Sequence, residues 1–459
     1  MTTTGDTKKT MAAELKVLHT LPDRILKLAK AISVHDIEVD ASMTSDALTR
    51  FANNTIHQNV SEHSLSISVR VIFDGRTARA TTNKTDDESL RRTVLAAATL
   101  AKQQPENPDL PSLLGKQKYD DRVRRDFPST AMVTPEDRAE DVVKVCRFAQ
   151  KNKQTAAGIF VSGLSRSILA NSRGLFAHHE QTRAEFSVSI LEADSSGWAK
   201  ANSPMIEKID PLALAETASE KAARSRKPCE LPPGHYTVIL EPAAVLDLVG
   251  FLFYDFAGTA VLDKRSCFTG RIGKKILGEN ISLWDDAYHP LQSGPPHDGE
   301  GLPRQKVQLV DRGVVKNLVY SRATAKKMKA KPTGHGFSLP NEYGEAPMNL
   351  VFAGGEKSIV EMVRTTERGV LVTRLWYIRE VDPYEKILTG MTRDGTFLVE
   401  NGKIAGGIRN FRFNQSIIEM LSSVEMLGPA VRAAGEESFE MVAPPMKVRN
   451  FHFSEVTKF

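Results

Sequence analysis

Cysteine is scarce: Cys146, Cys229 and Cys267 are the only three in 459 residues. They are odd in number, far apart and free of any C-x-x-C knuckle, so they form no disulfide framework, and a reducing compartment is the simpler reading. An apolar leader is missing as well. The opening MTTTGDTKKTMAAELK has no hydrophobic stretch of signal-peptide length, which points to the cytoplasm. No apolar run is free of charge over the length of a membrane span. The longest, Ala243 to Leu262, is interrupted by Asp247 and Asp255, and a carboxylate at membrane depth costs about 3 kcal/mol, so it reads as a buried helix of a soluble protein. Charge of one sign is also lacking, since 61 Lys and Arg face 56 Asp and Glu for a net +5. That small excess is spread along the chain, without the basic face that nucleic acid demands. No internal repeat appears, which excludes solenoids and propellers.

What is present suffices for a large core: 41% of the residues are hydrophobic and 25% charged, which excludes disorder as the main state. Residues 1–20 read as a flexible polar tail. Residues 21–33 carry apolar side chains at helical spacing, and the pattern then changes to strand alternation, clearest at Leu65, Ile67, Val69 and Val71, closed by a turn at Asp74-Gly75. Thr85 and Glu88 match a T-x-x-E capping box for a helix from about Asp86 to Gln104. Four prolines between 105 and 134 mark a connection or arm. Thr134-Pro135 opens a helix through Gln150, strands follow from Ile159 to Lys200, and Asp210-Pro211 opens another helix. The proline-rich KPCELPPG marks a boundary near residue 228. Beyond it, Asp311-Arg312-Gly313, Arg393-Asp394-Gly395 and Glu400-Asn401-Gly402 read as hairpin turns between β-branched runs. The expected class is α+β: an N-terminal mixed α/β domain (21–228) with antiparallel strands and long helices, and a β-rich C-terminal domain (229–459) built of hairpins.

A zinc hydrolase needs several imidazole, thiolate or carboxylate ligands converging on one point. The pattern HExxH is absent, and no histidine lies between His235 and His289, so the apolar helix near 242–258 offers no imidazole. His178 and His179 are neighbours in a strand and point to opposite faces, which forbids chelating one ion together. His289, His297, Asp298 and Glu300 share a Pro/Gly-rich loop that reads first as a solvated connection and second as a cation loop. His335, between Gly334 and Gly336, reads as part of a mobile segment. TGRIGKK lacks the spacing of a phosphate loop, no G-x-S-x-G elbow exists, and the run Lys326, Lys327, Lys329, Lys331 reads as solvated surface.

Four stretches taken together resemble the TldD/PmbA family: SISVRVIFDGRTARATTNKTDDESLRRTV (66–94), RSCFTGRIGKKI (265–276), GEAPMNLVFAGGE (344–356) and LTGMTRDGTFLVENGKI (388–404). Their order and spacing carry the resemblance over nearly the whole chain. In that family, historically labelled modulators of DNA gyrase and linked to peptide processing, the TldD-type subunit binds zinc with a helical HExxxH and a distant C-terminal cysteine. The matching helix here, GFLFYDFAG (250–258), has Tyr254 and Asp255 near the missing motif, and the last cysteine is Cys267. The resemblance therefore implies the PmbA/TldE side: no catalytic residue and no metal ligand in this chain, inactivity in isolation, and zinc in a partner subunit. It also implies a heterodimer with a TldD-type paralogue and short, extended peptides as substrate, with Pro347, Met348 and Asn349 as substrate contacts and neither nucleic acid nor membrane as partner. The alternatives are a stand-alone hydrolase with a metal or nucleophile near residues 289–300, and a homodimeric peptide-binding protein.

Overall fold

The computed structural model describes residues 4–457, with side chains from residue 12 onward. Its N-terminal half is organised by one six-stranded antiparallel sheet in the order β3-β2-β1-β4-β5-β6: β1 (Asp36–Ala52), β2 (Thr55–Phe73), β3 (Arg76–Thr82), β4 (Thr155–Asn171), β5 (Phe176–Leu191) and β6 (Ser196–Ser203). Period-two alternation fixes the register, with Val39 opposite Val69 on one side and Ala170 on the other. Asp74 and Gly75 both have positive φ (47° and 72°), the geometry that a two-residue turn between twisted strands requires.

Four helices cover this sheet. Thr4–Ala31 and Asp87–Gln103 bury Leu18, Leu21, Ile25, Leu90 and Val94 against Ile37, Val39, Ile67 and Val69. Pro135–Lys151 and Pro211–Arg224 bury Val142, Val145, Ala215 and Ala218 against Phe160, Phe186 and Val188. Two of these helices depart from the sequence reading. The segment read as a flexible tail is helical from Thr4, because Leu18 continues the apolar stripe of Leu21, Ile25 and Ala29 and is fully buried; residues 1–3 lie outside the described residues. The second helix is capped by Asp86, not Thr85, since the Asp86 carboxylate accepts the Ser89 N–H at 2.8 Å. At Thr134 the expected cap is present as a full capping box with Asp137.

The class is α+β, and β structure dominates the C-terminal half. There the strands Gly234–Leu240, Met446–Val456, Phe411–Ser416, Ile387–Glu400 and Arg368–Asp382 pair in a ring, the last closing onto the first in parallel. Closure removes the exposed edges that an open sheet must protect. A second six-stranded sheet, which includes Leu283–Asp285 and Leu350–Phe352, packs on the same apolar core. Asn401-Gly402 and Arg312-Gly313 make the expected turns.

Arg393-Asp394-Gly395 does not make a turn. It is a bulge inside the strand Ile387–Glu400, where the register against Arg368–Asp382 slips between Val372 and Arg374. Asp394 and Gly395 take φ of 51° and 116°. A bulge uses the same glycine chemistry as a turn, so local sequence does not separate them. The bulge aims Asp394 at Arg374, Nε to Oδ2 at 3.0 Å, while Ser196 of β6 donates to Oδ1 at 2.6 Å. Removing one partner of a buried ion pair strands the other. Asp394→Ala is expected to cost about 3 kcal/mol in urea unfolding, and Asp394→Asn less.

Candidate functional site

The run 242–262 is three short helical pieces rather than one helix. Pro242–Val249 starts with proline at its first position, tightens into a 3₁₀ turn over Gly250–Phe256, and resumes at Gly258–Leu262. Gly258 is required by close packing, because a Cβ there would sit 2.5 Å from the Tyr320 ring.

Both carboxylates of this run are buried and committed. Asp247 accepts the backbone N–H groups of Glu436 (3.2 Å) and Glu437 (3.0 Å), and burial pushes its pKa up to about 7. Asp255 lies 2.6 Å from the Lys386 ammonium and accepts the Cys267 N–H at 2.8 Å. Burial raises Asp255 above the ordinary carboxylate range even though Lys386 opposes the shift. Lys386 is held on its other side by Glu380 at 2.6 Å. The Cys267 thiol is pushed up by burial and by Asp255, so it stays protonated and is no nucleophile at neutral pH. Tyr254 donates to the backbone oxygen of Tyr343 at 3.0 Å.

A second buried cluster lies beside the segment 347–349. Asp285 accepts the Asn349 N–H at 2.7 Å and meets His335 Nε2 at 2.9 Å, while His335 Nδ1 meets Thr333 Oγ1 at 2.9 Å. Burial opposes ionisation, yet His335, Arg304 and the Asn349 N–H hold Asp285 below the ordinary carboxylate value. The order Thr-His-Asp copies that of a catalytic triad. Both His335 and Asp285 are shut off from solvent, and the Thr333 hydroxyl is occupied by the Tyr320 backbone, so the arrangement fastens loops together and has no route to a substrate. His335 is thus clamped, not mobile as its flanking glycines suggested. Of the expected contact residues, Pro347 and Asn349 are buried and Met348 is half-buried, directly before the strand Leu350–Phe352. Glu345 anchors them by accepting from Thr259 N (2.7 Å) and Ser321 N (3.0 Å).

The loop 289–300 is no solvated connection, because His297, Asp298 and Glu300 are buried. Asp298 accepts the N–H groups of Glu300, Leu302 and Gly336 at 2.8–3.0 Å. Glu300 accepts from Arg322 N at 3.1 Å, and burial together with Asp298 raises its pKa to about 7. Of the basic run, Lys326 and Lys327 face Asp109 at 3.7 and 3.4 Å. Among the described residues no three His, Cys, Asp or Glu side chains are grouped to hold one ion. The residues present therefore do not fit a zinc centre: the carboxylate nearest the expected motif already faces an ammonium, and the thiol behind it is protonated. Lys386 was invisible in the sequence, where it follows the polar DPYE turn and looks solvated.

Family profiles settle the relationship. The PmbA/TldA metallopeptidase domain 1 profile matches residues 37–101, the central domain 129–226 and the C-terminal domain 233–455. The chain belongs to the PmbA/TldD family. Metalloprotease PmbA of Escherichia coli O157:H7 is 23% identical over 95% of this chain and 97% of that protein. A metalloprotease of Methanothermobacter thermautotrophicus is 25% identical over 60% of this chain, a match spanning only 62% of that relative. TldE from Thermococcus kodakarensis shares the fold, with a TM-score of 0.85 at 20% identity over 95% of this chain and 100% of that one. In this PmbA/TldD chain no described helix is long and apolar enough to cross a membrane.

The raised pKa of Asp247 has a thermodynamic consequence. A carboxyl whose folded pKa lies above its unfolded value binds an extra proton on folding, so its contribution is full below about pH 4 and is lost as the pH rises through about 7. Asp247→Asn should flatten the decline in stability between pH 5 and pH 8 by about 3 kcal/mol, read by chemical denaturation at each pH. Glu300 leaves a residual slope of the same sign.

Proposed function

We propose that this chain is the metal-free, PmbA/TldE-like subunit of a cytoplasmic TldD-type metallopeptidase complex that processes short, extended peptides. The single observation behind this reading is the Asp255–Lys386 pair at 2.6 Å. It lies in the segment that resembles the zinc helix of the TldD-type subunits, and it supplies a fixed ammonium where such a subunit needs open ligands. In the complex, zinc and the general base belong to the partner. This chain contributes walls and backbone groups along which an extended peptide lies, a mode that reads backbone without demanding sequence. Pro347, Met348 and Asn349 remain the contact segment of this proposal. Met348 keeps some surface, and the buried Asn349 Nδ2 has no hydrogen-bond partner among the described residues. The stand-alone alternative centred on residues 289–300 is weakened by the commitment of Asp298 to three backbone N–H groups, while the buried Glu300 Oε2 and His297 Nε2 have no hydrogen-bond partner among the described residues.

The test is metal analysis and peptide cleavage on the purified chain, on a relative bearing HExxxH, and on the two co-expressed. We expect the chain alone to carry no stoichiometric zinc and cleave nothing, and the co-purified pair to do both. Stoichiometric zinc with peptide cleavage by this chain alone would falsify the assignment.

A further inference from the structure

The arm between the helices Asp87–Gln103 and Pro135–Lys151 crosses from β5 to the C-terminal loop near Pro296, and a cavity of about 400 Å³ lies along it. Arg125 of the arm lines this cavity and is 4% exposed. Its Nη1 donates to Val123 O at 2.7 Å and its Nη2 to Ala287 O, but its buried Nε–H has no hydrogen-bond partner among the described residues. Among the described residues Arg125 forms no ion pair. Arg138, the other deeply buried arginine of this half without a carboxylate, differs in that Thr49, Ser162, Asn59 and Val133 take its donors. A buried guanidinium with an open donor and no counter-charge is costly unless something else brings the anion.

The rest of the lining supplies the opposite charge without neutralising Arg125. Asp120 is spent on Arg122, Nε to Oδ2 at 2.7 Å, and Glu180 on Arg166 at 3.1 Å. Asp121 and Asp126 line the same cavity and are in no ion pair among the described residues. His178, also in the lining, turns its Nε2 to Glu180 Oε1 at 3.3 Å and so shares the carboxylate that Arg166 holds. His179 is held by burial to a pKa of about 4 and is neutral at physiological pH, so it adds hydrogen-bonding capacity and no charge.

We propose that this cavity is a ligand site for a small zwitterion of dipeptide size, its carboxylate on Arg125 and its ammonium on Asp121 and Asp126. A planar guanidinium suits a carboxylate, and the volume is that of an ordinary small-molecule pocket. The site is built from the arm, β5 and the 289–304 loop, with no residue of the 242–262 run, and stands independently of the reading as a metal-free subunit.

The experiment is isothermal titration calorimetry on the full chain with alanyl-alanine, its C-terminal amide, its N-acetyl derivative and inorganic phosphate. Saturable heat is expected for alanyl-alanine, with affinity lower by about tenfold or more for the amide and for the acetylated form. Arg125→Gln should abolish binding. Because that variant also loses bonds to Val123 and Ala287, the double variant Asp121→Asn/Asp126→Asn is measured beside it and should weaken alanyl-alanine about as much as acetylation does. The proposal is overturned by any one of four results: no saturable heat with alanyl-alanine, equal affinity for either blocked dipeptide, unchanged affinity in the double aspartate variant, or phosphate binding as tightly as the dipeptide.

Discussion

A carboxylate taken out of water loses several kcal/mol of hydration, and only charge or convergent N–H donors recover it. The C-terminal domain accepts this cost repeatedly, at Asp247, Asp255, Asp285, Asp298, Glu300 and Glu345, all of them buried. The solutions differ. Asp247 and Asp298 rely on backbone N–H groups, Asp255 on Lys386, Asp285 on His335 and an N–H, and Glu345 on the backbone of Thr259 and Ser321. Because these bonds tie loops far apart in sequence, they fix where the helical run, the 289–304 loop and the 345–349 segment sit. The same bonds occupy oxygens of Asp247, Asp255, Asp285, Asp298 and Glu345, whereas Glu300 accepts from Arg322 N on Oε1 and its Oε2 has no hydrogen-bond partner among the described residues.

How much of this was legible depends on whether the signal was local. The helix after Thr134 was, because a cap and a first-position proline lie within four residues of each other. So were the turns at Asp74-Gly75 and Asn401-Gly402, where two adjacent residues must take positive φ. The bulge at Asp394-Gly395 uses identical residues and differs only in what the distant strand Arg368–Asp382 does. His335 misled for a similar reason. Two flanking glycines signal flexibility, whereas its order comes from Asp285, fifty residues away in sequence. The first twenty residues read as polar because, among the described side chains of residues 12–20, Leu18 alone is buried. Lys386 and Arg125 had no local signal at all, since lysines and arginines in charged loops are normally solvated. Long-range pairing decided each of these, and a single sequence does not encode it visibly.

The two halves are fastened across their boundary by polar bonds rather than by a shared apolar core. Ser196 reaches Asp394, Lys200 reaches Gly435 O at 2.8 Å, Lys221 meets Glu241 at 2.7 Å, and Tyr119 donates to Gly301 O at 2.8 Å. Several of these partners are half-buried or better, so water does not compete freely for them. The arm carrying Tyr119 and Arg125 therefore acts as a strap from the first sheet to the 289–304 loop. Domain opening would break many such bonds together, which makes a fixed surface a better physical description of this chain than a hinge.

The pair at Asp255 also shows how one side-chain cation can compensate a buried carboxylate of the 242–262 run. Without a counter-charge Asp255 would be a buried carboxylate facing nothing, a state that costs about 3–5 kcal/mol. A dication solves that problem only with three or four converging donors, because its own desolvation is larger than that of a carboxylate. An ammonium solves it with one carboxylate and a flanking acceptor, and Lys386 has that pair in Asp255 and Glu380. The lysine arrives on the strand Ile387–Glu400 side of the barrel, while Asp255 arrives on the 3₁₀ turn, so one contact joins the barrel to the helical run. One ammonium between two carboxylates thus cross-links two elements, as a structural metal ion can, without itself being a Lewis acid.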